Sequence, residues 1–274
     1  MKVVNANDIT KAVSKLCISA NINADEKICN AIKKARDNET EALAVSALDM
    51  IIDNMDIAAK EKMPMCQDTG LVVVFVDIGQ NVFVDGSIKD AINEGVRQGY
   101  KNGYFRASVV KDPLDRVNTK DNTPAVIHYN IVDGDKLKIT VMPKGFGSEN
   151  KSALKMLTPS AGIKGIEDFV IETVKKAGSD PCPPIIVGVG IGGTMEKAAL
   201  LAKEALLTIP CEETTPFEDE LLIKINNLNI GAAGFKGKAT ALGVKVLTYP
   251  THIAGLPVAV NIGCHVSRHK SIEI

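Results

Sequence analysis

The stretch IIVGVGIGGTMEKAALLAKEALL (185–207) is the clearest indication of the fold in this sequence. It begins with Ile185 to Val189, a short apolar run rich in β-branched side chains, which is typical of a buried strand. From Met195 to Leu207 the apolar residues recur at helical spacing, which predicts an amphipathic helix. A strand that turns directly into a helix is characteristic of proteins in which helices cover a sheet.

Segments on both sides of this stretch show helical or strand patterns. The first sixty residues contain three runs with helical spacing, for which we expect Asn7 or Asp8 and then Asp25 as N-caps. At Pro64 the pattern changes, and Leu71–Ile78 is predicted to be a buried strand. Further helices are predicted over 87–101, 151–157, 166–177 and 217–227, and further strands over 125–132, 136–142, 244–249 and 258–262.

These elements predict an α/β fold of the mixed α+β kind. We expect an N-terminal helical subregion, residues 1–60, packed with a mixed sheet that is flanked by helices in residues 61–274. Asp133-Gly134-Asp135 is predicted to join two of the strands as a hairpin. No repeat or Pro/Ser-rich linker separates the two parts, so one continuous domain is expected.

Composition excludes several classes of protein. The 274 residues carry 32 Lys and Arg against 33 Asp and Glu, a net charge of -1, which removes the electrostatic case for nucleic-acid binding. No apolar run approaches the roughly 20 residues of a membrane span, and the first residues lack the apolar core of a signal peptide. We therefore expect a cytoplasmic protein whose six cysteines are not a disulfide framework.

The cysteines fall into two groups. Cys17 and Cys29 lie at or beside apolar helix positions, where a thiol acts as a small hydrophobic side chain. Cys66, Cys182 and Cys264 instead lie beside strands, in backbone that Pro or Gly makes irregular, and such loops often carry ligand residues. Their wide spacing fits neither a zinc ribbon nor a ferredoxin array, although three such thiols can meet on one iron–sulfur cluster. By spacing alone, unrelated structural cysteines remain the default.

Cys211 competes with those three as a ligand. It follows Pro210 at the end of a predicted helix, and its neighbours are Glu212 and Glu213. Like-charge repulsion from two carboxylates opposes formation of a thiolate, so we expect Cys211 not to bind a metal.

Gly188–Gly193 matches the glycine pattern of dinucleotide-binding proteins. It follows a strand and precedes a helix, and Glu212 or Glu213 could serve as the ribose carboxylate. No apolar strand precedes those glutamates, so the second strand of the dinucleotide unit is missing. The glycines are better explained by a tight turn between strand and helix.

Two histidines near the C-terminus also permit two interpretations. His265 and His269 flank the region after Cys264 at a spacing seen in metal sites. With Arg268 and Lys270 beside them, we expect a solvated basic tail or a subunit contact.

Several motifs together resemble one family, the class I, iron–sulfur fumarate hydratases. The resemblance is to the alpha subunit of the two-subunit type, which L-tartrate dehydratase shares, and it extends from about residue 40 to the C-terminus. The motifs that carry it are CQDTG (66–70), KGFGSEN (144–150), PCPP (181–184), GVGIGGT (188–194), NIGAAGF (229–235) and THIAG (251–255), followed by Cys264. Phe146 departs from the third glycine that many members have.

The resemblance implies a hydro-lyase that reversibly hydrates fumarate to L-malate, with L(+)-tartrate dehydration as the alternative. It implies a [4Fe-4S] cluster on Cys66, Cys182 and Cys264. It also implies substrate contacts from Gln67, Asp68, Thr69, Arg106 and Gly147, and catalytic roles for Asp68 and His252. Arginine suits a carboxylate because it forms two parallel hydrogen bonds. A separate beta subunit is expected to complete the site within a larger hetero-oligomer, where a base on the partner takes the carbon-bound proton.

Each implied residue has a simpler explanation. Asp68 could only cap the turn before Thr69 and Gly70, Arg106 could form a surface ion pair, and His252 could be a satisfied residue at a strand end. At the level of the whole chain, the alternatives are a dinucleotide-binding subunit that uses Gly188–Gly193 and a non-catalytic scaffold with structural thiols.

Overall fold

The computed structural model describes residues 1–210 and 213–274. Cys211 and Glu212, for which we made predictions above, lie outside the described residues. The helices are α1 (Ala6–Ile22), α2 (Glu26–Asn38), α3 (Ala42–Glu61), α4 (Ile88–Asn102), α5 (Phe146–Glu149), α6 (Gly162–Ala177), α7 (Met195–Ala205) and α8 (Pro216–Asn226). The strands are β1 (Lys2–Asn5), β2 (Leu71–Gly79), β3 (Val82–Asp85), β4 (Val126–Val132), β5 (Leu137–Lys144), β6 (Ala153–Leu157), β7 (Ile185–Gly192), β8 (Ala241–Tyr249), β9 (Leu256–Gly263) and β10 (Lys270–Glu273).

The mixed helix and strand content confirms the predicted fold class. The residues divide by their contacts into two compact units that interleave along the chain. Unit one contains Met1–Ala24, Asn54–Phe146 and Arg268–Ile274, and unit two contains Asp25–Asp53 and Gly147–Ser267. This division does not coincide with a boundary at residue 60, and the predicted domain limits stay a prediction. None of the described helices combines the length and the apolar content that a bilayer crossing demands.

Unit one is built on a four-stranded sheet with the order β10-β5-β2-β4. β2 pairs parallel with β4 and antiparallel with β5, and α1 packs with α4 over the apolar side of the sheet. Two glycines of α4 permit this helix pair, because a Cβ on Gly95 or Gly99 would lie only 2.6 or 2.8 Å from the side chains of Val13 and Cys17. Cys17 is fully buried there, as predicted.

The predicted hairpin between β4 and β5 is wrong. Both strands exist, but β2 lies between them and pairs with each. The turn at 133–135 instead wraps around the end of β2, where Gly134 accepts a hydrogen bond from Asn81 and Lys136 accepts one from Gly79. The Asp-Gly turn motif therefore predicted correctly that the chain reverses direction, but it did not predict which strands pair.

Unit two is built on a second sheet with the order β6-β9-β7-β8. The helix predicted over 151–157 is wrong. Ala153–Leu157 form β6 instead, because pairing with β9 satisfies their backbone groups. α7 packs on one face of this sheet and α6 with α8 on the other.

The glycine-rich strand β7 owes its composition to packing. A Cβ on Gly188 or Gly190 would lie 2.1 Å from a carbonyl oxygen of α7. Gly192 and Gly193, with φ of +94° and +69°, form the turn into that helix, as the sequence predicts. These close contacts explain the glycines without a bound dinucleotide.

Two N-cap predictions had different outcomes. Asp25 caps α2 by accepting from the backbone N–H of Lys27. The cap of α1 is Asn5 rather than Asn7 or Asp8, because β1 ends at Asn5 and the chain turns into the helix at that residue.

Candidate functional site

In unit one, the loop Cys66–Gly70 lies between α3 and β2, and buried side chains hydrogen-bond to its backbone. Tyr100 Oη donates to the carbonyls of Thr69 and Gly70 at 2.5 and 3.1 Å, and Asn122 also donates to the Gly70 carbonyl. Arg268 donates to the Asp68 carbonyl at 2.7 Å. Burial raises the pKa of Tyr100, so its hydroxyl stays protonated as a donor. Three carbonyls of the loop are therefore fixed by side chains from other parts of unit one.

The side chains of this loop differ in exposure, and Thr69, at 1% exposure, is buried. Gln67 is exposed and Cys66 is half-buried, with 3.7 Å between the thiol sulfur and Gln67 Oε1. Thr69 Oγ1 donates to the Arg106 carbonyl at 2.7 Å, which brings the exposed Arg106 beside the loop. Unit one thus brings together five of the predicted residues, and it leaves the Arg106 guanidinium accessible to an anion. They are Cys66, Gln67, Asp68, Thr69 and Arg106.

Asp68 caps the turn that it enters. Its Oδ1 accepts from Gly70 N–H at 3.1 Å, and its Oδ2 accepts from Phe146 N–H at 2.9 Å. These contacts agree with the turn-capping explanation, and the carboxylate also binds the first residue of α5. A role in proton transfer stays a prediction.

In unit two, Cys182 and Cys264 lie at the same end of the second sheet. β7 and β9 are antiparallel with Ile186 opposite Gly263, so the loop before β7 adjoins the residue after β9. His265 Nδ1 lies 2.8 Å from the Cys182 carbonyl oxygen, an acceptor, so that nitrogen carries the proton. Desolvation lowers the pKa of His265, although its bond to Cys182 opposes the shift.

The Cys182 loop has strained backbone and several anchors. Cys182 has φ of +55°, which is uncommon for a residue with a side chain and is concentrated at functional sites. Ala233 N–H donates to the Pro183 carbonyl at 2.8 Å, and Lys151 pairs with Asp180 at 2.5 Å. The NIGAAGF motif (229–235) therefore supports the PCPP motif (181–184).

Glu39 in turn holds the segment that follows NIGAAGF. This carboxylate is 8% exposed, and its oxygens accept from the backbone N–H groups of Thr40, Glu41, Lys238 and Ala239. Desolvation raises its pKa, but the four backbone hydrogen bonds outweigh that effect and the pKa is lowered from 4.5.

We expect Glu39→Gln to lower the free energy of unfolding by about 2 kcal/mol at pH 7, because an amide nitrogen cannot accept from buried N–H groups. A lowered pKa means that this stabilisation is present above pH 4.5 and is lost as the pH falls through the folded-state pKa. Urea unfolding of both proteins should therefore give curves that converge in acid. The exposed Glu41→Gln is the control, and a difference independent of pH would contradict the prediction.

The two remaining predicted site residues, Gly147 and His252, both belong to unit two. A Cβ on Gly147 would have only the Asp180 carbonyl within 4 Å, so the space around this residue is open. His252 is exposed in the loop before β9, and its Nδ1 accepts from Ala254 N–H. β9 has eight residues, or roughly 25 Å, so unit two does not bring His252 near Cys264.

The segment after Cys264 is not the solvated basic tail that we predicted. Arg268 is only 4% exposed, and Lys270 begins strand β10. His265 is half-buried against the Cys182 loop. Sequence reasoning missed these positions because basic side chains beside a chain end normally face solvent.

The three predicted cluster cysteines have accessible thiols. Cys182 is exposed and Cys66 and Cys264 are half-buried, whereas burial raises the pKa of the Cys17 thiol to about 12 and keeps it protonated. The donor set thus fits a thiolate-bound cluster. Across residues 1–210 and 213–274, no group of three or more His, Cys, Asp or Glu side chains is assembled as a metal ion requires. Cys66 belongs to unit one and the other two to unit two, and the three-cysteine set stays a prediction.

Comparison with known proteins identifies the family. The family described as fumarate hydratase (Fumerase) matches residues 10–273. A provisionally assigned L(+)-tartrate dehydratase subunit alpha of Methanocaldococcus jannaschii is 42% identical over 272 residues, which cover 95% of each chain. The L(+)-tartrate dehydratase subunit alpha of Escherichia coli K12 is 30% identical over 98% of this chain and 91% of the relative. The chain therefore belongs to the fumarate hydratase (Fumerase) family of hydro-lyases.

Proposed function

We propose that this chain is the alpha subunit of an L(+)-tartrate dehydratase. The observation that carries the proposal is full-length similarity to relatives that bear this name, at 42% and 30% identity. Loss of water from tartrate gives the enol of oxaloacetate, which rearranges to the 2-oxo acid. The second candidate is reversible hydration of fumarate to L-malate, which the description of the matching family favours.

The proposed cofactor is a [4Fe-4S] cluster held by Cys66, Cys182 and Cys264. When bound, it would supply an iron that lacks a protein ligand and acts as a Lewis acid toward the substrate hydroxyl. The accessible thiols of these residues support the assignment, and the buried, protonated thiol of Cys17 is unsuited to it. Thiolate ligands and a reducing cytoplasmic environment are mutually compatible.

The residues of unit one are proposed to orient the dicarboxylate. The accessible guanidinium of Arg106 can bind one carboxylate through two parallel hydrogen bonds. Gln67 contributes a polar contact, and the buried Thr69 holds the Arg106 backbone through its hydroxyl. The backbone of this loop does not need to reorganise, because Tyr100 and Asn122 already hold it. Such prior fixation lowers the entropic cost of reaching the reactive geometry.

The proton chemistry is proposed to involve both subunits. Asp68 handles the proton of the departing hydroxyl, and a base on the beta subunit takes the proton from the adjacent carbon. Gly147 contributes backbone to a substrate carboxylate, which the open space around it supports. The proposed role of His252 requires a second copy of the chain, since β9 separates it from Cys264 of its own unit. We therefore propose a hetero-oligomer that contains at least two alpha chains.

The test is a comparison of substrates with the alpha and beta subunits purified together without oxygen. We expect kcat/KM for L-tartrate to exceed that for L-malate by about a hundredfold or more, because a site that binds the second hydroxyl rejects a substrate without it. Oxaloacetate is measured as its hydrazone and fumarate by ultraviolet absorbance. Preference for malate and fumarate would reverse the order of the two candidates.

Exposure of the same complex to air tests the cofactor. The brown colour and the activity should decline together, with release of iron. Full activity in air would contradict a cluster with an open iron, and a colourless protein that binds NAD would instead support the dinucleotide-binding alternative.

A further inference from the structure

Arg268 is a buried cation with no carboxylate at ion-pair distance in the described part of the chain. It is 4% exposed, and no ion pair to it occurs among the described residues within 4 Å. Its Nη1 donates to Asn21 Oδ1 at 3.1 Å and to the Asp68 carbonyl at 2.7 Å, while its Nε has no hydrogen-bond partner in the described chain. A charge buried in this way is costly, so an arginine here requires an explanation beyond core packing.

Arg268 binds the loop Cys66–Gly70 directly at Asp68, and its other partner is Asn21 of α1. Asn21 is fully buried. Its backbone carbonyl accepts a hydrogen bond from the backbone N–H of Met65 at 3.0 Å. Arg268 and Asn21 thus bind both sides of Cys66, at Met65 and at Asp68. Tyr100 and Asn122 also donate to carbonyls of this loop, but only to those of Thr69 and Gly70.

Gly145 makes room for this arrangement. A Cβ on Gly145 would lie 3.1 Å from Asp68 Oδ2 and 3.3 Å from Arg268 Nη2, so the guanidinium and the carboxylate both approach the backbone of this glycine. Asp68 Oδ2 also accepts from Phe146 N–H. The arginine therefore lies beneath the loop Cys66–Gly70, which the proposed function assigns to cluster and substrate binding, and it is too deeply buried to touch either ligand from the solvent side.

We propose that Arg268 is a positioning residue that sets the backbone of Cys66–Asp68, and thereby the presentation of the Cys66 thiol and the Asp68 carboxylate. The part of this inference that concerns catalysis rests on the proposed function. The part that concerns the loop is a property of the chain itself. A neutral side chain would leave the Asp68 carbonyl without its donor, and the loop would open more often.

The primary test uses Arg268→Met and Arg268→Lys in the full-length chain without iron, measured by hydrogen exchange. We expect exchange in the peptide that spans 62–71 to accelerate about tenfold in Arg268→Met, with β2 and β4 peptides unchanged. Arg268→Lys keeps the positive charge but loses the planar guanidinium and its fixed N–H donors, so we expect an intermediate acceleration of exchange. The exposed Arg116→Met is the matched control and should behave as the unmodified chain.

Three results would overturn the proposal. Unchanged exchange of 62–71 in Arg268→Met would show that the loop does not depend on the arginine. Equal acceleration throughout unit one would show a general effect on stability. If Arg268→Met fails to fold, the decision falls to Arg268→Lys, and exchange identical to that of the unmodified chain would then exclude positioning by the guanidinium.

A second readout in the complex with the beta subunit separates this inference from the proposed function. In Arg268→Lys we expect kcat to fall about tenfold with KM changed by less, since Arg106 still binds the substrate carboxylate. The electron paramagnetic resonance spectrum of the cluster should shift as the Cys66 ligand moves. If the unmodified complex lacks iron and hydro-lyase activity, the proposed function fails while the exchange result stands. An active complex whose Arg268 variants exchange normally would refute the inference alone.

Discussion

Asp68→Asn is expected to lower kcat of the assembled complex by about 10³-fold while the protein remains folded. Proton transfer by a positioned side chain contributes about 10²- to 10⁴-fold to a rate, and an amide cannot perform it. The replacement preserves the turn, because the amide oxygen can still accept from Gly70 N–H as Oδ1 does now. It removes the acceptor for Phe146 N–H, which is a smaller structural change.

This variant separates the two explanations of Asp68. If the residue only caps the turn, Asp68→Asn should leave kcat within about threefold of the unmodified value, since asparagine is nearly as good a cap. The control is Asp112→Asn, because Asp112 accepts from Leu114 and Asp115 N–H groups in an exposed turn of the same kind. Steady-state kinetics of both variants, with circular dichroism to verify folding, decide between the explanations.

Replacement of any one of Cys66, Cys182 or Cys264 by alanine should abolish turnover and most of the bound iron. Each thiolate would supply one of only three protein ligands to the cluster, so the loss of any one leaves too few ligands to hold it. We expect the loss in kcat to exceed about 10⁴-fold, which is the scale expected when the main electrophile of a reaction is removed.

Cys29→Ala is the control for these variants, since Cys29 lies on α2 and has no predicted ligand role. Iron and sulfide are measured per chain after anaerobic purification, and the absorbance of the cluster is recorded. Retention of iron in all three ligand variants would favour the non-catalytic scaffold. Cys211→Ala, at a position outside the described residues, is predicted to be harmless.

The positions of most helices and strands were predictable because they depend on local periodicity. β2, β7 and β9 are apolar runs whose neighbours in sequence already mark them as buried, and α4 begins at its Ser87 cap. The exceptions are informative. The segment that forms β6 has apolar residues that fit a helical period equally well, and only its pairing with β9 makes it extended. Pairing is not encoded within five residues.

The loops of the candidate site were predictable from the sequence, but the buried residues that hold these loops were not. Pro and Gly around Cys66, Cys182 and Cys264 indicate irregular backbone at strand ends, which the structure confirms. The roles of Asn21, Tyr100 and Asn122 had no local signature, because a buried polar residue is recognised by its partner rather than by its neighbours in sequence. The same holds for His265, which meets Cys182 across 83 positions of the chain.

The sequence by itself determined the family, the burial of Cys17 and the type of most elements, since these follow from motifs and short-range patterns. Cys29, which was also expected in the core, is only half-buried. Only the tertiary structure decided that β2 separates β4 from β5, that His252 and Cys264 occupy opposite ends of β9, and that Arg268 lies beneath Asp68. The physical reason is the range of the interactions. The hydrogen bond between Arg268 and Asp68 joins residues 200 positions apart, and the burial that makes it strong exists only after the chain has folded.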